Sequence, residues 1–321
     1  MASALVTGAS GFVGGRLTAR LLRCGAPVRG LVRRPDHALA AAGADCVVGD
    51  LRDLDVLHRA TRGVDVVYHT AAVTLGMRGD LWGTNVDGTE ELLGACITND
   101  VRRFVFVSSV SVYRPPLAPA IDEDAPIGGF ESYGQSKAAA EAVLGEVAGD
   151  PIERVILRPC QIYGPGDRSG YTGRLLVVLA ARRVPVARGP ARFSLVHVDD
   201  VVEAIVAAGT HPAAAGSVFN VAGPGQTSLR ELAESRGASP PITIPRSALR
   251  AALGARWLLA AARNPAVRPF LRSYAQDTLH DSMWLGGPDY LTTRLRVELG
   301  FVPRVDPAEG LRRLMAESPE K

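Results

Sequence analysis

The chain has 321 residues, 47% hydrophobic and 21% charged, with a formal net charge of +3. This balance fits one large α/β domain, or one with a smaller appended domain, and excludes a disordered chain. No long run of one charge sign marks a nucleic-acid surface. The four cysteines (Cys24, Cys46, Cys96 and Cys160) form no Cys-x-x-Cys pair. With no His cluster of ligand spacing, they give no metal site and imply reduced thiols in a cytoplasmic protein.

Residues 1–6 lack the basic region of a signal peptide and run straight into a strand at Ala4–Thr7. A helix over Arg16–Arg23 is expected to stop at Gly25. Further apolar runs predict strands at Val28–Val32, Asp45–Val48, Val64–His69 and Phe104–Ser108. Arg154–Leu157 and Val218–Val221 follow, with helical patterns between. Strands separated by helices of this length imply right-handed βαβ units in a parallel sheet. Their continuous apolar character fits a sheet covered on both faces. The expected architecture is α/β, a Rossmann doubly wound parallel sheet with a small C-terminal substrate domain. The division falls at 1–165 and 166–321, with the late strand returning to the sheet. Ala251–Ala262, interrupted by Arg256, is too short to span a bilayer and reads as a buried or lid helix.

The first strand ends in Thr7-Gly8-Ala9-Ser10-Gly11-Phe12-Val13-Gly14. Gly8 permits a tight turn, Gly11 lets backbone approach a pyrophosphate, and Gly14 lets the next helix pack close. The helix N-terminus, with Ser10, Phe12 and Val13, then presents N–H groups to the anion. The second strand ends at Arg33-Arg34, where NAD enzymes usually carry an acid for the ribose 2′-hydroxyl. A guanidinium suits a 2′-phosphate, so NADP is the expected cofactor, with Asp36 keeping NAD open. Asp50-Leu51 follows the third strand and is expected at the adenine edge. Thr70-Ala71-Ala72 follows the fourth, and its small side chains allow close approach.

Tyr133 and Lys137 lie four apart in a helix-forming stretch, so phenol and ammonium share one face. A hydride-transfer enzyme needs an acid–base group at the substrate oxygen. Bringing a tyrosine from about 10 to about 7 takes roughly 4 kcal/mol. An ammonium about 4 Å away, at an effective dielectric near 20, supplies about that much. Ser109 ends the fifth strand, at the sheet edge that faces the ligand crevice, and is placed to bind the same oxygen. Asn85, in the helix after the fourth strand, is expected to orient Lys137 through water.

In this order the motifs resemble the extended short-chain dehydrogenase/reductase family, also called the NAD-dependent epimerase/dehydratase family, over nearly the whole length. Thr7–Gly14, Asp50-Leu51, His69–Ala72, Asn85–Thr89, Ser109 and Tyr133/Lys137 carry the likeness. So do Leu157–Asp167, His197–Val201, Phe219–Val221 and Leu299–Pro303. The resemblance implies a seven-stranded sheet and a homodimer packed through long helices. It implies that Tyr133 is the acid–base residue, Lys137 its activator and Ser109 the oxygen ligand. It places Pro159 and Ile162 along the nicotinamide. Arg114 stands where a glycine usually follows the Val-Tyr pair. Phe193–His197 and Val28–Arg33 look more like the 3β-hydroxysteroid dehydrogenase branch, and no acid pair replaces Ser109-Val110 as in dehydratases.

The function expected from these residues is NADP-dependent interconversion of a secondary alcohol and a ketone on a moderately apolar small molecule. Partners other than substrate, such as nucleic acid or a membrane span, are not expected. A sugar-nucleotide epimerase or 4-ketoreductase is the alternative, if arginines between Arg168 and Arg192 clamp a diphosphate. A non-catalytic cofactor-binding protein is the third reading.

Overall fold

Short runs of β-branched and aliphatic residues, each apolar on both faces, build the centre of the molecule. A computed structural model describes residues 2–74, 79–115, 117–129, 131–149, 151–167, 186–187, 191–234, 243–245, 247–248, 251 and 286–316. Seven strands form one sheet: β1 (Ala4–Thr7), β2 (Val28–Val32), β3 (Asp45–Val48), β4 (Val66–His69), β5 (Arg103–Val107), β6 (Glu153–Pro159) and β7 (Val218–Val221). Their order is β7-β6-β5-β4-β1-β2-β3 and every pairing is parallel. This is the expected Rossmann sheet. The strand order reverses between β1 and β4, which opens a crevice at the carboxyl edge there.

Helix α1 (Phe12–Arg23) follows β1, and α2 (His37–Ala41) and α3 (Leu54–Thr61) follow β2 and β3. Next come α4 (Gly88–Thr98), α5 (Ser132–Gly145) and α6 (Val198–Thr210). Two apolar cores sandwich the sheet. Leu17 and Leu21 of α1 pack with Val201 and Ile205 of α6 on one face. Leu57, Leu92, Ala140 and Leu144 of α3, α4 and α5 pack with Phe104 and Phe106 on the other. As expected, α1 ends before Gly25, whose φ of +76° carries the chain out of the helix.

Arg103 is fully buried at the start of β5. It donates to Glu153 at 2.6 Å and to the carbonyls of Ala208 and His211 at 2.9 and 2.8 Å. A guanidinium thereby satisfies the open carbonyls at the end of α6 and ties that helix to the sheet.

Beyond β6 the chain forms a smaller layer. The short strand Gln161–Tyr163 pairs with Arg192–His197, which pairs with Gln226–Ser228, and Ala120–Ile121 pairs with Asp289–Tyr290. The Asp200 carboxylate accepts from the backbone of Arg304 and Val305 at 3.0 and 2.8 Å, holding the C-terminal segment to α6. Among the described residues no helix is long and apolar enough to cross a membrane, and no His/Cys/Asp/Glu group has the geometry to hold a metal ion. Ala251–Ala262, apart from Ala251, and most of the arginines from Arg168 onward lie outside the described residues.

Candidate active site

The glycine turn is built by exclusion of side chains. Gly8 has a φ of +67° and accepts from the Gly11 N–H at 2.8 Å. A Cβ on Gly14 would fall on the Gly8 carbonyl oxygen and within 2.6 Å of Thr70 Oγ1. One on Gly8 would come within 2.9 Å of Ala71 Cα. Thr70 Oγ1 donates to the Thr7 carbonyl at 2.7 Å, joining the ends of β1 and β4. Gly11 caps α1 without a side-chain bond, and no acid occupies the first turn. Ser10 and Gly11 are exposed, and Phe12, Val13 and Thr70–Ala72 are partly so. An open helix N-terminus with its positive dipole end, lined by small residues, fits a dinucleotide pyrophosphate.

Arg33 lies exposed just after β2, close enough that its charge helps hold the Asp50 carboxyl below its ordinary value. The larger cause is the bond from Arg52, at 3.0 Å. Leu51 is buried behind Asp50. Asp36, which kept the NAD reading open, accepts from the backbone of Ala38 and Leu39 at 3.1 Å each. It is thus occupied as the cap of α2.

Ser109 lies two residues beyond β5 and caps the tight turn Val110–Val112, accepting from the Ser111 N–H at 3.1 Å. Tyr133 opens α5, whose N-terminus is capped by Glu131 through the N–H groups of Tyr133 and Gly134 at 2.5 and 2.8 Å. The Ser109 hydroxyl acts on the Tyr133 phenol to lower its pKa, and Lys137 lies one turn further along α5, buried, its Nζ 4.0 Å from the Phe106 ring centre.

Their electrostatics differ from the simple expectation of a phenol brought to about 7. Burial, then the Glu131 charge, hold the Tyr133 phenol above its ordinary value against the opposing bond from Ser109. Burial also pushes the Lys137 ammonium down to about 7, with Glu141 resisting. Desolvation dominates both groups, and Tyr133 is held protonated.

Asn85 is placed differently from expectation. It lies in a π-helical turn, Gly83–Asp87. Its amide accepts from the Val73 N–H at 2.8 Å and donates to the Val73 carbonyl at 2.9 Å and to Ser136 Oγ at 3.0 Å. The Asn85 carbonyl is taken by the Thr89 hydroxyl at 2.7 Å. Asn85 therefore fastens the loop after β4 to the residue beside Lys137, and reaches Lys137 only through Ser136. Pro159 is buried at the end of β6 and Ile162 is partly exposed beyond it.

Beneath the site His69 bridges Thr7 Oγ1 (2.7 Å) and Thr89 Oγ1 (3.0 Å). Burial, then the Lys137 charge, push its imidazole down to about 3. An unfolded histidine takes up its proton near 6.5, so the neutral folded form loses stability as pH falls from there towards 3. The limiting slope is about 1.4 kcal/mol per pH unit. His69→Gln should flatten the acid side of a stability–pH curve. A curve unchanged by the substitution would contradict a neutral buried His69.

Sequence reasoning missed the buried ion pair below Lys137. Arg158 on β6 donates to Glu141 on α5 at 2.7 Å, and Ser108 donates to the same carboxylate at 2.5 Å. Tyr133, Lys137 and Glu141 recur at intervals of four, a spacing that was available to find it.

Sheet, turn and helix together define an enzyme of the extended short-chain dehydrogenase/reductase class. Within that class the chain belongs to the NAD dependent epimerase/dehydratase family, whose model matches residues 4–222. It is 31% identical to a 4-hydroxy-2-methyl-3-oxo-4-farnesyl-3,4-dihydroquinoline-1-oxide ketoreductase of Stigmatella aurantiaca, over 98% of this chain and 96% of that protein. It is 33% identical to a "3 beta-hydroxysteroid dehydrogenase/Delta 5-->4-isomerase" of Mycobacterium tuberculosis, over 82% of this chain and 73% of that one. Among solved structures, MoeE5 in complex with UDP-glucose and NAD is similar with a TM-score of 0.72 and 25% identity, covering 98% of both chains.

Proposed function

We propose that this enzyme is an NADP-dependent ketoreductase acting on a moderately apolar small molecule. Ser109 just beyond β5, with Tyr133 and the buried Lys137 one turn apart on α5, carries this reading. The cofactor supplies or accepts the hydride. Ser109 donates a hydrogen bond to the substrate oxygen, and Tyr133 gives that oxygen its proton. Lys137 holds positive charge behind the phenol as the proton leaves. A phenol kept protonated by burial suits ketone reduction, in which it is the proton donor. Residues 1–165, with β7, hold the cofactor in this reading, and the rest mainly contacts substrate. The names of the ketoreductase and steroid dehydrogenase relatives support an apolar carbonyl substrate. The enzyme is further proposed to be a cytoplasmic homodimer packed through α4 and α5, which sedimentation of the purified protein tests.

Purified protein with NADPH should turn over members of a panel of apolar ketones, read as loss of NADPH absorbance. No turnover with any of them, with cofactor bound, would leave the non-catalytic reading. Arg33 supports NADP because Asp36 is committed to α2. Arg33→Ser should weaken NADPH binding on the order of tenfold to a hundredfold, the worth of a charge-assisted hydrogen bond, and leave NADH binding unchanged. Equal loss for both cofactors would refute the assignment.

The epimerase reading draws on the structural similarity to MoeE5. Arg192, one of the arginines invoked for a diphosphate clamp, is engaged instead by Glu231 at 2.7 Å and the Gln226 carbonyl at 2.6 Å. NAD⁺ retained through purification, with sugar-nucleotide inversion and no net redox change, would favour the epimerase.

A further inference from the structure

Helix α5 carries a second charged side chain on the face that bears Tyr133 and Lys137. Tyr133, Lys137 and Glu141 are successive members of one i, i+4, i+8 row. Lys137 is 1% exposed and Glu141 5%. Glu141 Oε1 accepts from Ser108 Oγ at 2.5 Å, and Ser108 directly precedes Ser109. Arg158 grips both carboxylate oxygens, through Nη2 at 2.7 Å and Nε at 3.1 and 3.2 Å. Its Nη1 donates to Tyr113 Oη at 3.2 Å and the Glu123 carbonyl at 2.9 Å. The carboxylate thus sits between the strand ends that bear the site and the helix that completes it.

We propose that Glu141 is a positioning residue, whose buried carboxylate sets a negative charge one helical turn from Lys137 and fastens Ser108, and through it Ser109, to the Tyr133 helix. The kinetic consequence rests on the oxidoreductase reading of this site, while the effect on Lys137 stands without it.

The surroundings of Lys137 explain why an opposing charge is needed. Phe106 on β5 presents its ring at 4.0 Å. His69 on β4 is held neutral and its proton is disfavoured by Lys137 in turn. On α5 itself stand the protonated Tyr133 and the Glu141 carboxylate, which Arg158 on β6 pairs at 2.7 Å. A lone ammonium among these groups sheds its proton, and a carboxylate one turn away opposes that loss. Arg158 meets both oxygens of that carboxylate in a two-toothed, charge-assisted bond.

The composition agrees. The chain has 34 arginines and two lysines, Lys137 and Lys321. A guanidinium stays charged wherever it sits, whereas an ammonium buried at 137 holds its charge only with such a partner.

Two lysines also make the test direct. Protein carrying isotopically labelled lysine gives two side-chain signals by NMR, and removal of Lys321 assigns the other to Lys137. In the wild type Lys137 should titrate near neutral pH or above. In Glu141→Gln the titration should fall by about one pH unit or more, a size set by one charge a helical turn away. Glu141→Asp, which keeps the charge, should restore most of it. If Gln leaves Arg158 unpaired and the variant does not fold, Glu141→Gln combined with Arg158→Met removes both charges and should show a smaller fall in the same direction. With an active ketone, Glu141→Gln should lower kcat, leave KM for NADPH in place and shift the pH profile. An unmoved Lys137 titration in a folded variant, or a wild-type Lys137 already neutral at pH 6, overturns the proposal. A moved titration in a protein without redox activity supports it and sinks the ketoreductase reading alone.

Discussion

Tyr133→Phe should abolish ketone turnover, by on the order of a hundredfold to ten-thousandfold in kcat, while NADPH binds as before. The substitution removes one oxygen atom and keeps the ring that packs at the start of α5. Ser109 loses a partner, which costs about 1 kcal/mol, a small part of the stability of a domain this size. Folding is therefore preserved and the missing proton donor accounts for the loss. The measurement is steady-state NADPH oxidation with any ketone the wild type accepts, beside cofactor titration by fluorescence. Ser109→Ala should lose less, since Tyr133 and the backbone around Ser111 remain to hold the oxygen. Wild-type turnover in the Phe variant would end the proposed chemistry. Loss of turnover together with loss of cofactor binding would instead point to a collapsed site.

Much of this arrangement was legible in the residues. The inner strands are short apolar runs because both faces of the sheet are covered there, whereas the edge strand β3 is partly exposed, and such runs stand out between polar helical stretches. The glycine turn was legible because Gly8, Gly11 and Gly14 are spaced for a turn that tolerates no side chain. Tyr133 and Lys137 were legible through helical spacing.

The remainder depends on tertiary placement. Asn85 reads as a helical residue that orients Lys137 through water, and its direct bonds to Val73 and Ser136 from a π-helical turn at Gly83–Asp87 are not visible in the spacing. Asp36 reads in the sequence only as the acid that keeps NAD open, and its bonds to the Ala38 and Leu39 backbone, which cap α2, depend on the turn after β2. The protonation of Tyr133 depends on burial and on Glu131, and no spacing reports how deeply a phenol is enclosed. Ala120–Ile121 pairs with Asp289–Tyr290 across a long separation that periodicity does not cross. Glu141 lies in plain view four residues after Lys137, but its partner Arg158 comes from a strand on the far side of a loop.

Gly14→Ala should be among the most damaging single-methyl changes in the chain. The added carbon would lie on the carbonyl oxygen of Gly8 and within 2.6 Å of Thr70 Oγ1. The first obstacle is backbone in a turn already fixed by the bond from Gly11, and Thr70 is fixed by its bond to Thr7. Neither can rotate aside, so α1 must move away from the sheet. Overpacking of this kind costs about 1–3 kcal/mol or more, and here it also withdraws the helix N-terminus from the pyrophosphate position. Cofactor affinity should fall at least about a hundredfold, which at about 1.4 kcal/mol per tenfold is a loss near 3 kcal/mol. Gly94→Ala is the control. Gly94 lies on the exposed side of α4 with nothing within 4 Å of a new Cβ. That change should stabilise the protein by about 0.5–1 kcal/mol, because alanine favours a helix interior over glycine. Denaturant unfolding and NADPH titration of the two variants should therefore move in opposite directions in stability and diverge in binding. A Gly14→Ala protein as stable as the wild type and with its cofactor affinity intact would mean that the turn between β1 and α1 does not hold the dinucleotide.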